Sequence, residues 1–158
     1  MNNHSLSIAY HKWATLKVVG HIRTLPKEIH KQEIKSVFPS LFDTLLHMLE
    51  VDELWLTRIK NRAISVNENN TIEQLFANYV ALLNEYEQLG HDVLDRLVTY
   101  KSSEGIEYEN ICYEIIQHVV NHGTYHRGNI SAMLRQLGNK TISTDYIYFL
   151  RERADIER

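Results

Sequence analysis

The chain has very few residues that interrupt helices. Its 158 residues include only two prolines and six glycines, and these two residue types break regular structure most strongly. Long uninterrupted elements are therefore expected. The apolar residues recur mainly at the three- and four-residue spacing of an amphipathic helix. The sequence accordingly predicts an all-α protein.

Four long helices follow from this periodicity, and we predict them over residues 5–24, 37–61, 71–97 and 110–138. Asn70 is the expected N-cap of the third helix, with Glu73 completing a capping box. Asn110 is the expected cap of the fourth helix, which ends near Gly138, because glycine is common where helices stop. Four long helices with short connections predict an antiparallel four-helix bundle.

Two shorter elements complete the predicted fold. The segment "VTYKSSEGIEYEN" departs from helical spacing, and β-prone residues 98–100 and 106–108 flank "KSSEG". A short hairpin is therefore predicted before the fourth helix. A short C-terminal helix is expected over residues 145–151. The chain contains no internal repeat or low-complexity tract, so we expect one domain over residues 1–158.

Composition narrows the class of protein. Hydrophobic residues make up 44% and charged residues 23% of the chain, as in soluble globular proteins. The formal net charge of −3 gives no electrostatic reason to expect a nucleic-acid partner. A single cysteine, Cys112, excludes a disulfide framework and suits a reducing cytoplasm. No stretch resembles a signal peptide or approaches the roughly 18 apolar residues of a membrane span, so we expect a cytoplasmic protein without a membrane partner.

Three histidines stand at intervals of four in "HVVNHGTYHRGN", residues 118–129. Helical residues four apart lie within about 40° of each other and about 6 Å apart along the axis. His122 and His126 can therefore direct their imidazoles to one point, and His-x-x-x-His is a known metal-binding geometry. His118 and His126 are about 12 Å apart along the axis, too far to share one ion. At most two consecutive histidines of the three can be ligands, and we expect His118 to pack one turn above the site.

Two glycines also lie in this segment. Gly123 and Gly128 each cost roughly 1 kcal/mol relative to alanine inside a helix, so we expect another backbone or a ligand to approach closely there. The alternative for the histidines is chance spacing on a solvated surface, because the chain contains nine of them. The histidines without such partners are interpreted as surface or edge residues: His4, His11, His21, His30 and His91.

A third ligand must come from another helix, and His47 is the best candidate. It interrupts the apolar run "LFDTLLHMLEVDELWL" of the second helix, where a histidine is either a satisfied core residue or a ligand. Asp43 precedes it by four residues and Glu50 follows by three, so either carboxylate could orient its imidazole. Asn129 shares the face of the histidine pair on the fourth helix. For these three polar residues, a solvated stripe is the alternative.

These segments resemble a known family. The segment "HVVNHGTYHRGNISAMLRQLG" is similar to the fourth-helix motif of DinB-like (YfiT-like) four-helix-bundle metalloproteins. The segments "YHKWA", "FPSLFDTLLHMLEVDELWLTRI" and "TDYIYFLRE" match further parts of that family in the same order, so the resemblance covers nearly the whole chain. It implies that His47, His122 and His126 bind one divalent metal. Asn129 is a departure, because the family usually has glutamine there.

The resemblance also implies an activity. Characterised relatives include transferases and isomerases that use low-molecular-weight thiols such as bacillithiol or mycothiol. A divalent ion on three neutral imidazoles acidifies a bound water and can hold a thiolate at the same position. Zinc or nickel is expected, although imidazole also suits copper and iron. We therefore expect a metal-dependent thiol S-transferase that acts on small electrophiles, assembled as a homodimer, with Tyr125 either near the mouth of the site or simply packed.

Other functions remain open at this point. Metal-dependent hydrolysis would use the same acidified water, and a non-catalytic metal-binding stress-response protein would use the ion only to hold the helices together. Di-iron carboxylate chemistry is disfavoured because no Glu-x-x-His occurs, and His-Glu-x-x-His is also missing. Cys112 is a weaker candidate nucleophile. It begins a helix, which can lower a thiol pKa, but core filling is the more common role.

Overall fold

Helices account for most of the computed structural model, which describes residues 3–64 and 69–156. Within those ranges the helices are α1 (Asn3–Arg23), α2 (Lys27–His30), α3 (Leu41–Lys60), α4 (Ile72–Glu87), α5 (His91–Leu94), α6 (Cys112–Gln136) and α7 (Tyr146–Ile156). The strands β1 (Leu97–Lys101) and β2 (Glu107–Ile111) pair antiparallel, with Thr99 opposite Glu109. The mostly helical prediction and the hairpin before the last long helix are confirmed. Helix α7 runs further than the predicted residues 145–151.

The second long helix begins later than predicted. Helix α3 starts at Leu41 rather than at residue 37, because Ser40 is its N-cap and accepts a hydrogen bond from the Asp43 backbone N–H at 3.1 Å. Pro39 immediately precedes this cap, and a proline disfavours helical backbone in the residue before it. Asn61 ends the helix in a left-handed conformation with φ of 49°.

The start of α4 lies one residue from the predicted position. Its N-cap is Thr71 rather than Asn70, and Gln74 rather than Glu73 completes the capping box. The Gln74 backbone N–H donates to the Thr71 hydroxyl at 3.2 Å, and the Gln74 side chain accepts from the Thr71 backbone N–H at 3.1 Å. Residues 65–68, which lie between the predicted second and third helices, are outside the described residues.

The same long helix ends well before residue 97. Helix α4 stops at Glu87, and Gly90 has the extended backbone of an N-cap for the single turn of α5. Leu97 already belongs to β1. The apolar periodicity continues past Glu87 because α5 also buries Leu94, so the spacing alone does not reveal the break.

The last long helix begins at Cys112 rather than at residue 110. Asn110 belongs to β2 and does not cap the helix. Instead, the Glu114 carboxylate accepts hydrogen bonds from the Ile111 backbone N–H at 3.2 Å and from the Asn110 amide at 3.1 Å. A carboxylate in the first turn of a helix also interacts favourably with the helix dipole.

The long helices enclose the core. Helices α1 and α3 each pack against both α4 and α6, and each of the four contributes fully buried apolar side chains, including Ile22, Leu45, Leu75 and Met133. Burying one such side chain contributes roughly 1.5–3 kcal/mol. Helix α7 covers α1, where the rings of Trp13 and Phe149 lie 5.7 Å apart. Over the described ranges, no helix has both the length and the apolar character needed to cross a membrane.

Candidate metal centre

Three imidazoles converge between α3 and α6. The Nε2 atom of His122 lies 3.2 Å from Nε2 of His47 and 3.1 Å from Nε2 of His126. One ligand nitrogen from each histidine lies within 4.8 Å of the other two. The structure therefore brings together the three histidines that the sequence selected, two from one helix and one from its packed neighbour.

Aromatic rings border the three histidines. The ring of Phe38 stacks on His47 with a centroid distance of 4.5 Å and lies 5.7 Å from His126. The ring of Tyr125 meets His126 edge to face at 4.9 Å, and Tyr125 is 59% exposed. Tyr125 is thus packed on a ring of the centre and also exposed to solvent, which is compatible with both of the roles expected for it. Sequence reasoning missed Phe38, which precedes α3 and shares no helical spacing with the ligands.

The donor geometry suits a small divalent cation. For zinc–nitrogen bonds of 2.0–2.1 Å, two ligands of a tetrahedron are about 3.3 Å apart, close to the 3.1 and 3.2 Å found here. The Nε2 atom of His122 also faces two other ring nitrogens at once, although one imidazole nitrogen can share a hydrogen with only one of them. A cation among the three atoms satisfies all three lone pairs, so this group could hold a metal ion.

Burial and the neighbouring histidines favour the neutral form of the two α6 imidazoles. Burial, reinforced by the neighbouring His126, His47 and His118, lowers the pKa of His122 to about 4, and the Asp52 carboxylate opposes this shift. Burial and His47 likewise lower the pKa of His126. A metal ligand must be deprotonated. At neutral pH the lone pairs of both α6 histidines are therefore available without loss of a proton.

The predicted carboxylates near His47 have other surroundings. The carboxylate of Asp43 accepts a hydrogen bond from the Ser40 hydroxyl at 2.6 Å at the start of α3, and Glu50 is exposed. Within the described part of the chain, neither forms a hydrogen bond with an imidazole of the centre.

Unsatisfied nitrogens lie behind the α6 histidines. The Nδ1 atoms of His122 and His126 and the Nδ2 atom of Asn129 are buried without a protein partner. An imidazole that binds a metal through Nε2 carries its proton on Nδ1, which then needs an acceptor. Because amide oxygen and nitrogen are assigned from the hydrogen-bond network, rotating the Asn129 amide by 180° would present an acceptor oxygen at this buried position.

Two histidines interpreted as surface or edge residues are buried, and that interpretation is wrong for both. The Nε2 atom of His30 lies 3.0 Å from the carbonyl oxygen of Ile22. The Nε2 atom of His11 lies 2.8 Å from Oδ2 of Asp52, which is also buried. Both partners are on other elements, so spacing within one helix carries no signal for them. The side chain of His4 lies outside the described residues.

The remaining histidines agree with the sequence reading. His91 is exposed, and His21 is half-buried with Nε2 at 2.8 Å from the carbonyl oxygen of Lys140. The ring of His118 lies 6.0 Å from that of His122, one turn away on α6. His118 is exposed and is not part of the three-histidine group.

The buried guanidinium of Arg127 joins the His11–Asp52 pair, and these three side chains form a buried polar network. Arg127 donates to the Thr15 hydroxyl at 3.2 Å and to the Thr124 hydroxyl at 2.9 Å, and its Nη1 lies 3.4 Å from Nδ1 of His11. Because a guanidinium only donates, Nδ1 of His11 accepts and Nε2 carries the hydrogen that is donated to Asp52. The contacts with Arg127 and Asp52 thus hold the His11 imidazole from both sides.

The two glycines of α6 differ. A Cβ atom on Gly123 would lie 2.5 Å from Cε1 of His11 and 2.8 Å from Nη1 of Arg127, so a close approach does occur at Gly123. The approaching groups are side chains of the protein, whereas a backbone or a ligand was expected. No protein atom of the described residues lies within 4 Å of a Cβ atom on Gly128, so no backbone approaches closely there.

Cys112 is not activated as a nucleophile. Its side chain is fully buried in the core, and burial raises the pKa of Cys112 to about 11. The thiolate is the reactive form. The structure therefore supports the core-filling role for this thiol.

Comparison with known proteins agrees with the resemblance noted in the sequence. A family model described as the DinB family matches residues 1–157. The chain is 36% identical to Protein DinB of Bacillus subtilis (strain 168) over 159 aligned positions, which cover 89% of this chain and 90% of that protein. The chain therefore belongs to the DinB family.

Proposed function

We propose that His47, His122 and His126 bind one divalent metal ion, zinc or nickel, and that the protein is a metal-dependent thiol S-transferase acting on small electrophiles. The observation that carries this proposal is the convergence of three Nε2 atoms at 3.1 and 3.2 Å. Zinc sites with three protein ligands are typically catalytic, whereas structural sites have four. Within the described residues, no further histidine, cysteine or carboxylate joins the group.

The chemistry follows from this donor set. When bound, the ion supplies a Lewis acid that lowers the pKa of a coordinated water or thiol. Overall, the thiol sulfur forms a bond to the electrophilic carbon, the leaving group departs with the bonding electron pair, and the thiol proton passes to solvent. The protein's part is to hold three neutral imidazoles in place and to limit access by water. The ring of Phe38 on His47 contributes to that shielding.

Two side chains complete the proposed site. Exposed Tyr125, packed edge to face on His126, borders the entrance used by the thiol and the electrophile. With its amide rotated, the Asn129 side-chain oxygen accepts a hydrogen bond from the Nδ1–H group of His126. This hydrogen bond orients the His126 ring so that Nε2 points to the ion. The unsatisfied buried nitrogens of both residues support this pairing. Metal-binding histidines usually have such an acceptor behind them.

The arrangement proposed for the long helices is an antiparallel four-helix bundle of the DinB type, as a cytoplasmic homodimer. The packing of α1 and α3 against both α4 and α6 supports the bundle, and family membership supports its type. In this bundle the metal centre lies between α3 and α6.

Cobalt substitution tests the proposal. Protein loaded with cobalt(II) is titrated with cysteine, 2-mercaptoethanol and bacillithiol, and a sulfur-to-cobalt charge-transfer band is expected with at least one of them. Conjugation of the same thiol to a model aryl halide should need both metal and thiol and stop on addition of a chelator. His118→Ala should behave like the wild type, because His118 is outside the three-histidine group.

The contrary outcomes discriminate between the alternatives. If no thiol changes the cobalt spectrum but the metal-loaded protein hydrolyses a model ester, the hydrolytic function replaces the transferase. If metal binds and neither reaction occurs, the ion is structural.

A further inference from the structure

The carboxylate of Asp52 is a fully buried charge on α3 that the proposed site does not yet use. Its Oδ2 atom accepts a hydrogen bond from Nε2 of His11 at 2.8 Å, and its exposed fraction is 0%. Its Oδ1 atom is buried and has no partner among the described residues. A buried carboxylate oxygen without a donor is costly, so this atom calls for an explanation.

Asp52 is linked to α6 through the imidazole of His11. His11, which holds the carboxylate, packs so closely on α6 that a Cβ atom on Gly123 would lie 2.9 Å from its Nδ1 atom. Gly123 directly follows His122 in the chain. The link through His11 therefore reaches α6 at the residue next to the metal ligand His122.

His122 has a buried hydrogen-bond donor without a partner, and Asp52 has a buried acceptor without a partner, in the part of the chain that the structure describes. The Nδ1 atom of His122 is buried without a partner, and it must carry the ring hydrogen when Nε2 binds an ion. Because the Arg127 guanidinium can only donate, its 3.4 Å contact with Nδ1 of His11 favours the tautomer whose Nε2 donates to Asp52. One buried donor and one buried acceptor thus lack protein partners, and a single water molecule between them would satisfy both.

We propose that Asp52 is a positioning residue for the metal ligand His122, with Oδ1 accepting the Nδ1 hydrogen through one bound water molecule. This inference rests on the proposed metal site and adds to it. The chain Arg127–His11–Asp52–water–His122 holds Nε2 as the lone-pair atom and aims it at the ion. Carboxylates in this role strengthen metal binding by making the imidazole more basic and fixing its ring.

Metal affinity tests the role of the carboxylate. Zinc affinity is measured by competition with a chromophoric chelator, and Asp52→Asn should weaken it by about 10- to 100-fold. Tyr86→Phe is the matched control. The Tyr86 hydroxyl donates to the backbone carbonyl oxygen of Asp52 at 2.6 Å, so this change removes a buried hydrogen bond of the same residue and leaves the carboxylate intact. Its affinity should stay close to that of the wild type.

The outcomes separate this inference from the metal site itself. If the wild type binds zinc through the three histidines but Asp52→Asn binds it equally well, the inference is overturned and the proposed function stands. If the wild type and His122→Ala both fail to bind zinc, the metal site is wrong and the inference falls with it. Equal weakening in Tyr86→Phe would show that lost stability, not the carboxylate, controls affinity.

A second measurement needs no variant and covers the case in which Asp52→Asn does not fold. A high-resolution crystal structure of the zinc-loaded wild type should show one ordered water within about 2.7–3.2 Å of both Oδ1 of Asp52 and Nδ1 of His122. Ordered density with no such water, or Nδ1 of His122 bonded to another acceptor, contradicts the proposal.

Discussion

The imidazole of His11, on α1, occupies the space that a side chain at position 123 of α6 would fill. A Cβ atom on Gly123 would lie 2.5 Å from Cε1 and 2.9 Å from Nδ1 of His11, closer than real carbon contacts allow. The ring cannot move away easily, because Asp52 holds its other side. The glycine is therefore needed for packing of the polar network and not for backbone flexibility.

Substitution of this glycine should destabilise the protein. Overpacking costs about 1–3 kcal/mol, which exceeds the gain of roughly 1 kcal/mol from replacing glycine by alanine in a helix. Gly123→Ala should therefore lower the free energy of unfolding in urea. Gly128→Ala, where nothing lies within 4 Å, should raise it by up to about 1 kcal/mol. Equal stabilisation by both substitutions would show that His11 does not occupy this space.

The three ligands should be individually necessary for metal retention. Alanine at His47, His122 or His126 leaves two imidazoles, so the dialysed variant should contain far less zinc than the wild type by elemental analysis. His118→Ala is the control, because its ring is a similar imidazole one turn away on the same helix. Full zinc content in His122→Ala would refute the assignment, since His122 is the residue that lies within 3.2 Å of both others.

The stability of the metal-free protein should fall as the pH is lowered. Folding lowers the pKa of His122 from its ordinary 6.5 to about 4. Between these values the unfolded chain binds a proton that the folded chain does not, so falling pH favours unfolding. Urea unfolding with chelator present should show decreasing stability from pH 7 to pH 5. His122→Gln should show a shallower decrease, and an unchanged slope would contradict the lowered pKa.

Cys112 should react slowly with thiol reagents in the folded protein. Its pKa of about 11 leaves almost no thiolate at pH 7, and the side chain is buried. Mass spectrometry after iodoacetamide treatment should show little labelling under native conditions and complete labelling in urea. Rapid native labelling would reopen the possibility of a cysteine nucleophile.

The long helices and the three proposed ligands could be predicted from the sequence, because they depend on the spacing of residues within one segment. The scarcity of proline and glycine indicated long helices, and the four-residue interval between His122 and His126 fixed their shared face. His47 could be selected because a histidine within an apolar run needs a partner. Local signals also misled at helix ends: the capping-box pattern fits both Asn70 with Glu73 and Thr71 with Gln74, and only the latter forms.

The parts that were missed depend on contacts between distant segments. His11 and Asp52 are 41 residues apart. No nearby residue in the helix of either one indicates that its side chain is buried and paired. The hydrogen bond between them forms only when α1, α3 and α6 pack together. The sequence alone therefore led to the interpretation of His11 as a surface residue. Gly123 carried a usable signal, since an unfavourable helix residue indicates a close approach, but the approaching group could not be identified before the packing was known.

Anomalous diffraction from crystals of the zinc-loaded protein, recorded at the zinc absorption edge, tests the central claim most directly. We expect one strong difference peak per chain, at about 2.0–2.1 Å from Nε2 of each of His47, His122 and His126, with a fourth ligand that does not come from the protein. A map without a peak between α3 and α6, or with its peak on other side chains, would contradict the proposed metal centre.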